Sequence, residues 1–71
     1  MQEYYQIEKR LIYINEKIKN LPNNIIVLYT ISGNVLRGYD KDARILYIRQ
    51  FIDERELFQF LCGMEHILEV I

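Results

Sequence analysis

The side chains of this chain that most readily do chemistry are a cysteine and a histidine four positions apart, Cys62 and His66. On a helix, side chains at this spacing are neighbours, so a thiolate and an imidazole would lie within reach of each other. The surrounding segment supplies neither an orienting third group nor oxyanion donors, which nucleophilic catalysis requires. We therefore predict that Cys62 is a small, partly buried apolar residue, that His66 is solvated, and that the protein is not an enzyme.

Metal and phosphate sites are not predicted either. Glu65 and Glu69 flank His66, but mixed ligands at these spacings match no standard zinc pattern. Residues 40–42 alternate acid, lysine and acid, yet no glycine or distal glutamate follows them as in a calcium loop, so this segment is interpreted as a solvated turn. The three glycines are too scattered to cradle a phosphate. The sequence thus predicts no cofactor and no small-molecule substrate.

Length and composition restrict the class of protein. With 71 residues, 51% hydrophobic residues and a net charge of −1, the chain is predicted to fold as a single domain, residues 1–71. No apolar run approaches the roughly 20 residues of a membrane-spanning helix, so no membrane association is expected. A single cysteine and a start without a signal-peptide pattern favour a cytoplasmic location. Frequent Ile, Asn, Tyr and Lys are typical of an AT-rich bacterial or phage genome.

A helix is predicted at each end of the chain. Between residues 3 and 20, apolar residues recur at spacings of three and four, and Pro22 ends the pattern. Near the other end, Asp53 and Glu56 form a capping box before a helix that begins at Glu54, with Ile52 and Leu57 as a hydrophobic staple. The predicted apolar positions are Tyr4, Ile7, Leu11, Ile14, Ile18 and Leu21 in the first helix and Leu57, Phe60, Leu61, Met64, Ile67, Leu68 and Ile71 in the second.

Three strands are predicted between these helices. Residues 25–31 are β-branched and aromatic, and the two-residue turn at Gly33-Asn34 places Ser32 opposite Val35. The second strand ends near Tyr39, and the third covers residues 45–51. The predicted class is therefore α+β, with the order α-β-β-β-α and a three-stranded antiparallel sheet whose two helices pack on one face.

The pairing of the last two strands decides which side chains remain exposed. We predict a turn of odd length, which pairs Leu36 with Ile48 and Gly38 with Leu46, because an even turn would bring Arg49 into the core. Alternation along the strands then directs Ile25, Val27, Tyr29, Ile31, Leu36 and Gly38 toward the helices. The opposite face would carry the candidate partner-binding residues, which are Leu28, Arg37, Tyr39, Ile45, Tyr47 and Arg49.

Such a mixture of tyrosine, arginine and large aliphatic side chains is typical of a protein-contact surface. The function expected from the sequence is a small protein-protein interaction module, in the simplest case a homodimer made by two sheets packed face to face. An ordinary solvated sheet face remains open as an alternative. A further alternative is binding of single-stranded nucleic acid, with bases stacked on Tyr39 and Tyr47 and phosphates near Arg37, Arg44 and Arg49.

The order α-β-β-β-α resembles the double-stranded RNA-binding domain over nearly the whole chain. That family has a lysine-rich start to its second helix, whereas this chain has the acidic residues 53–56, which repel phosphate. Its Gly-Pro-x-His loop is replaced here by Ser32-Gly33-Asn34. The resemblance is one of topology, so RNA binding is not carried over.

Overall fold

The computed structural model describes the backbone of residues 2–70 and the side chains of residues 6–70. The helices and strands in chain order are α1 (Gln2–Ile18), β1 (Leu28–Ser32), β2 (Val35–Tyr39), β3 (Ile45–Gln50) and α2 (Glu54–Val70). The strands form one antiparallel sheet in the order β1-β2-β3. The predicted α+β class and element order are confirmed.

Both helices cover the same face of the sheet, and the core lies between these two layers. Its buried members are Ile7, Ile14, Ile18, Leu36, Phe51, Leu57 and Leu61. Leu36 is the member from the central strand, so the side of β2 on which Leu36 lies is the side that the helices cover. The predicted core positions Tyr4 and Ile71 lie outside the described side chains.

The side chains of Asp53 and Glu56, the predicted capping pair, cap the start of α2. The backbone N–H of Glu56 donates to a carboxylate oxygen of Asp53 at 2.9 Å, while the carboxylate of Glu56 accepts from the N–H of Ile52 at 3.0 Å. Two backbone donors at the helix start are thereby satisfied by side chains. The predicted staple is absent, because Ile52 remains 85% exposed and the preceding Phe51 enters the core instead.

The first hairpin has the predicted pairing. Ser32 lies opposite Val35, Thr30 opposite Arg37 and Leu28 opposite Tyr39. Tyr29 lies opposite Gly38, and its ring covers the glycine so closely that a β-carbon there would come within 3.0 Å of it. The aromatic ring therefore fills the space that the glycine leaves open.

The second hairpin differs from its prediction. Leu36 pairs with Arg49 and Gly38 with Tyr47, and a bulge between Gly38 and Tyr39 leaves Leu46 as an extra residue. The predicted pairings of Leu36 with Ile48 and of Gly38 with Leu46 are therefore wrong. The observed alternation places Tyr47, Arg49 and Phe51 on one side of the chain, which lets the Phe51 ring enter the core.

The beginning of the first strand was also misplaced by the pattern. β1 begins at Leu28 and not at Ile25, and both Ile25 and Val27 are exposed. The side chain of Ile26 lies beside Gly38 on the helix-covered side. The predicted inward orientation of Ile25 and Val27 is wrong, because this irregular segment does not follow the strand alternation.

The turn between β2 and β3 is organised around Asp40, which is buried. One carboxylate oxygen accepts from the backbone N–H groups of Asp42 and Arg44, each at 2.9 Å, and the other accepts from Nε of Arg44 at 2.8 Å. These hydrogen bonds, led by the one from the Arg44 backbone, lower the pKa of Asp40 below its usual value. They also hold Ala43 in a left-handed conformation with φ 63°.

A lowered pKa predicts a pH-dependent loss of stability. The ionised Asp40 stabilises the fold above the unfolded pKa of 3.8, and this contribution disappears as the pH falls through the lower folded value. We expect Asp40→Asn to lower the urea midpoint at pH 7 and to reduce the further drop seen on acidification to pH values below 3.8. Urea titrations across this range measure both effects, with Asp42→Asn as the exposed control. Parallel curves for wild type and Asp40→Asn would contradict this assignment.

Candidate protein-contact surface

The sheet face that the helices leave uncovered is the candidate site and is called the outer face. Four of the predicted partner-binding residues, Leu28, Arg37, Tyr39 and Ile45, lie on it. Leu28 and Ile45 expose 44% and 52% of their surface. The register gives its composition as Leu28, Thr30, Ser32, Val35, Arg37, Tyr39, Ile45, Ile48 and Gln50. The exposed Leu46, the bulge residue next to Tyr47, is added to this face because Tyr47 points to the helices.

Two of the predicted site residues, Tyr47 and Arg49, lie on the opposite side of the sheet. Tyr47 is stacked against Phe60 of α2, with ring centroids 6.5 Å apart. The guanidinium of Arg49 lies 4.9 Å from the ring centroids of both Phe51 and Phe60. Arg49 thus avoids full burial at the rim of the core, where its charge is met by aromatic faces. Their predicted placement on the outer face is wrong.

Sequence reasoning missed Leu46 and Ile48, which replace those two residues on the outer face. They are 48% and 58% exposed. The usable signal was Phe51, because a large aromatic residue directly before α2 favours burial and fixes the alternation of the residues before it. The outer face is consequently more apolar than predicted.

Arg37 occupies the centre of this face, since it is the middle residue of the middle strand. Its cross-strand neighbours are Thr30 and Ile48, and Val35 and Tyr39 flank it along β2. The side chain is half-buried. Among the residues whose side chains the structure describes, none forms an ion pair, hydrogen bond or cation-π contact with Arg37. An arginine without a counter-charge therefore lies within a largely apolar surface.

Polar contacts join the two helices and do not extend to the outer face. Nη1 of Arg10 on α1 is 2.6 Å from a carboxylate oxygen of Glu65 on α2, and the same guanidinium lies over the Phe58 ring. Partial burial raises the pKa of Tyr29, with a smaller contribution from Tyr47. The ion pair and the ring contact of Arg10 join α1 to α2, on the side of the sheet opposite the outer face.

The residues first considered for chemistry are not assembled into a site. Cys62 is half-buried and His66 exposed on α2, and in the described part of the chain no hydrogen bond joins them. Across these same residues no three His, Cys, Asp or Glu side chains are grouped so that they could hold a metal ion. The strongest candidate site is accordingly a surface.

This chain matches no protein-family model, no curated protein and no solved structure. Within residues 2–70, neither helix has the length and apolar character needed to cross a bilayer. The candidate site is therefore defined by its own geometry, which is a half-exposed apolar sheet face with Arg37 at its centre.

Proposed function

We propose that this protein is a small, non-catalytic protein-protein interaction module that acts in the cytoplasm, forms homodimers and binds a protein partner through its outer face. Arg37, which has no ion pair among the side chains of residues 6–70, lies among half-exposed aliphatic side chains and carries the partner-binding part of this proposal. Tyrosine and arginine within apolar surroundings are the side chains that most often dominate binding energies at protein interfaces. Tyr39, directly along β2 from Arg37, supplies the aromatic ring.

The composition of the outer face supports a partner of complementary chemistry. The outer face carries one positive charge and no acidic side chain, so a complementary surface presents a carboxylate opposite Arg37 with apolar side chains around it. Three strands about 4.8 Å apart and five residues of about 3.3 Å each give a footprint of roughly 240 Å². A standard interface buries about 800 Å² per partner, so a single outer face accommodates a short segment or forms a transient complex.

Binding of single-stranded nucleic acid loses support as the alternative function. Its stacking platform needed Tyr39 and Tyr47 on one surface, but the Tyr47 ring packs against Phe60. Arg49 lies over aromatic rings on the helix-covered side. Only Tyr39 and Arg37 of that set share the outer face, and Arg44 is engaged by Asp40 and Asp42.

Site-specific crosslinking tests the proposed partner site. With a photoreactive benzoylphenylalanine at position 39, we expect irradiation in the native host to yield a defined protein adduct, identified by mass spectrometry. The same group at Gln59, an exposed position on α2, is the matched control and should not give that adduct. Arg37→Glu should weaken binding at least about tenfold, or 1.4 kcal/mol, because it opposes a partner carboxylate with a like charge.

The outcomes separate the partner classes. Loss of the position-39 adduct in Arg37→Glu, with retention in Arg37→Lys, supports a carboxylate-bearing protein partner. Equal adducts from positions 39 and 59, or no effect of Arg37→Glu, would show that the outer face is not the recognition site. A nuclease-sensitive adduct whose yield falls steeply with salt would instead favour the nucleic-acid alternative.

A further inference from the structure

The β1 and β3 edges of the sheet differ in whether other parts of the molecule bind their backbone groups. At the β1 edge, the side chain of Asn15 on α1 binds the backbone of Tyr29 in the way a neighbouring strand would. Its Nδ2 donates to the Tyr29 carbonyl at 3.0 Å, and its Oδ1 accepts from the Tyr29 N–H at 2.8 Å. An added strand would have to displace this amide and α1, so the β1 edge is protected.

The β3 edge has no comparable protection. The N–H of Phe51 donates to the carbonyl of Asn34, so alternation directs the backbone groups of Arg49 and Tyr47 toward β2 and those of Ile48 and Gln50 away from it. No described side chain or backbone group hydrogen-bonds to this outward edge. β3 contains no proline, lysine or acidic residue; its one charged side chain, Arg49, lies on the helix-covered side, and its bulge lies at Leu46, before the segment from Tyr47 to Gln50.

We propose that a second copy of this chain pairs with that edge, so that two β3 strands lie antiparallel about a two-fold axis at Ile48 and the two sheets join into one of six strands. In this register Ile48 lies opposite the Ile48 of the second copy, and Leu46 lies opposite Gln50. The Ile48 pair brings outward-pointing backbone groups of the two copies together. Directly opposed residues share a side, so the apolar Ile48 side chains meet on the outer side of the joined sheet.

The one charged residue of β3 favours this register. Arg49, the one charged residue of β3, falls opposite the Tyr47 ring of the second copy, an attractive cation-π neighbour. A pairing centred one residue further along would oppose two Arg49 side chains, which is destabilising.

The same reasoning disfavours the face-to-face dimer that the sequence suggested. A two-fold axis through the centre of the outer face would bring two Arg37 side chains together, and that face carries no carboxylate to neutralise them. Edge pairing instead keeps the two Arg37 side chains apart on one side of the joined sheet. Both outer faces then form one continuous surface about twice as large, closer to the area that a stable complex needs.

This inference rests on the homodimeric part of the proposed function and does not depend on the identity of the partner. Pairing of two six-residue strands buries less than a standard interface, so we expect a dimer that dissociates at low micromolar concentration, below about 10 μM. Sedimentation velocity across a concentration series should show the monomer converting to dimer. A monomer that persists at about 500 μM would overturn the proposal.

Two kinds of variant locate the contact. Ile48→Pro removes an outward N–H that β2 does not use, so it should abolish the dimer with an unchanged circular dichroism spectrum, whereas Ile48→Thr keeps the N–H and should retain dimerisation. In a Cys62→Ala background, Ile48→Cys should form an intermolecular disulfide, because opposed residues of such a pair lie about 5.5 Å apart between α-carbons. This disulfide still tests the proposal if Ile48→Pro does not fold.

Arg37→Cys in the same Cys62→Ala background is the matched control for the disulfide trap. Crosslinking through position 48 and not through position 37 supports edge pairing. Crosslinking through position 37 and not through 48 would overturn it in favour of the face-to-face dimer. The position-39 photoadduct is read out separately, so failure of the edge dimer is distinguishable from failure of the partner site.

Discussion

Replacing Leu61 by alanine is expected to destabilise the protein by about 2–5 kcal/mol. Leu61 is fully buried on α2 and belongs to the cluster in which side chains from both helices meet Leu36 of β2. Its truncation removes apolar contacts and leaves a cavity between the helices and the sheet. A domain of this size rarely has more than about 3–5 kcal/mol of stability, so a large part of the population should unfold.

Urea denaturation followed by circular dichroism measures this loss of stability. A stabilising osmolyte is added for Leu61→Ala, the least stable variant. Ile67→Ala removes an aliphatic side chain from the same helix at a position that is 58% exposed, and it should cost much less. Leu61→Met keeps the volume and should cost less than about 1.5 kcal/mol. Equal losses for Leu61→Ala and Ile67→Ala would show that the core is not centred where the structure places it.

Asn15→Ala is expected to cost about 2–4 kcal/mol, because it leaves both the N–H and the carbonyl of Tyr29 without their partner. The side chain of Asn15 is only partly buried, but the two groups that it satisfies lie at the β1 edge against α1, where water replaces it imperfectly. The loss also opens the β1 edge, so this variant should form assemblies larger than a dimer at high concentration.

Amide hydrogen exchange at Tyr29 gives the most direct measurement for Asn15. Exchange at this amide should accelerate at least about tenfold in Asn15→Ala relative to amides elsewhere in β1. Asn15→Asp retains an acceptor for the N–H but opposes a carboxylate to the Tyr29 carbonyl, so it should rescue the exchange protection without restoring full stability. Glu16→Ala, an exposed neighbour on α1, is the control. Unchanged exchange at Tyr29 in Asn15→Ala would contradict the role assigned to this side chain.

The sequence predicted those elements whose signals are local. The three- and four-residue spacing gave α1, the Asp53 and Glu56 pair gave the start of α2, and the Gly33-Asn34 turn gave the pairing of β1 with β2. The capping box and the turn are decided within a few residues by hydrogen bonds and steric constraints, whereas the spacing in α1 marks the side chains that the core buries. For the candidate site, the same signals correctly placed Leu28, Arg37 and Tyr39 on one face, because the first hairpin fixes all three.

The side on which β3 presents its residues was decided only by the tertiary structure. A second turn of odd length and one of even length each expose some apolar side chains. Keeping Arg49 out of the core was the wrong criterion for choosing between them. Arg49 reaches the rim over two aromatic rings, while the bulge at Leu46 and burial of Phe51 set the alternation. A one-residue shift in register moves every side chain of a strand to the other face of the sheet, while the local energy of the strand changes little. Only packing against α2 therefore decides between the two registers of β3.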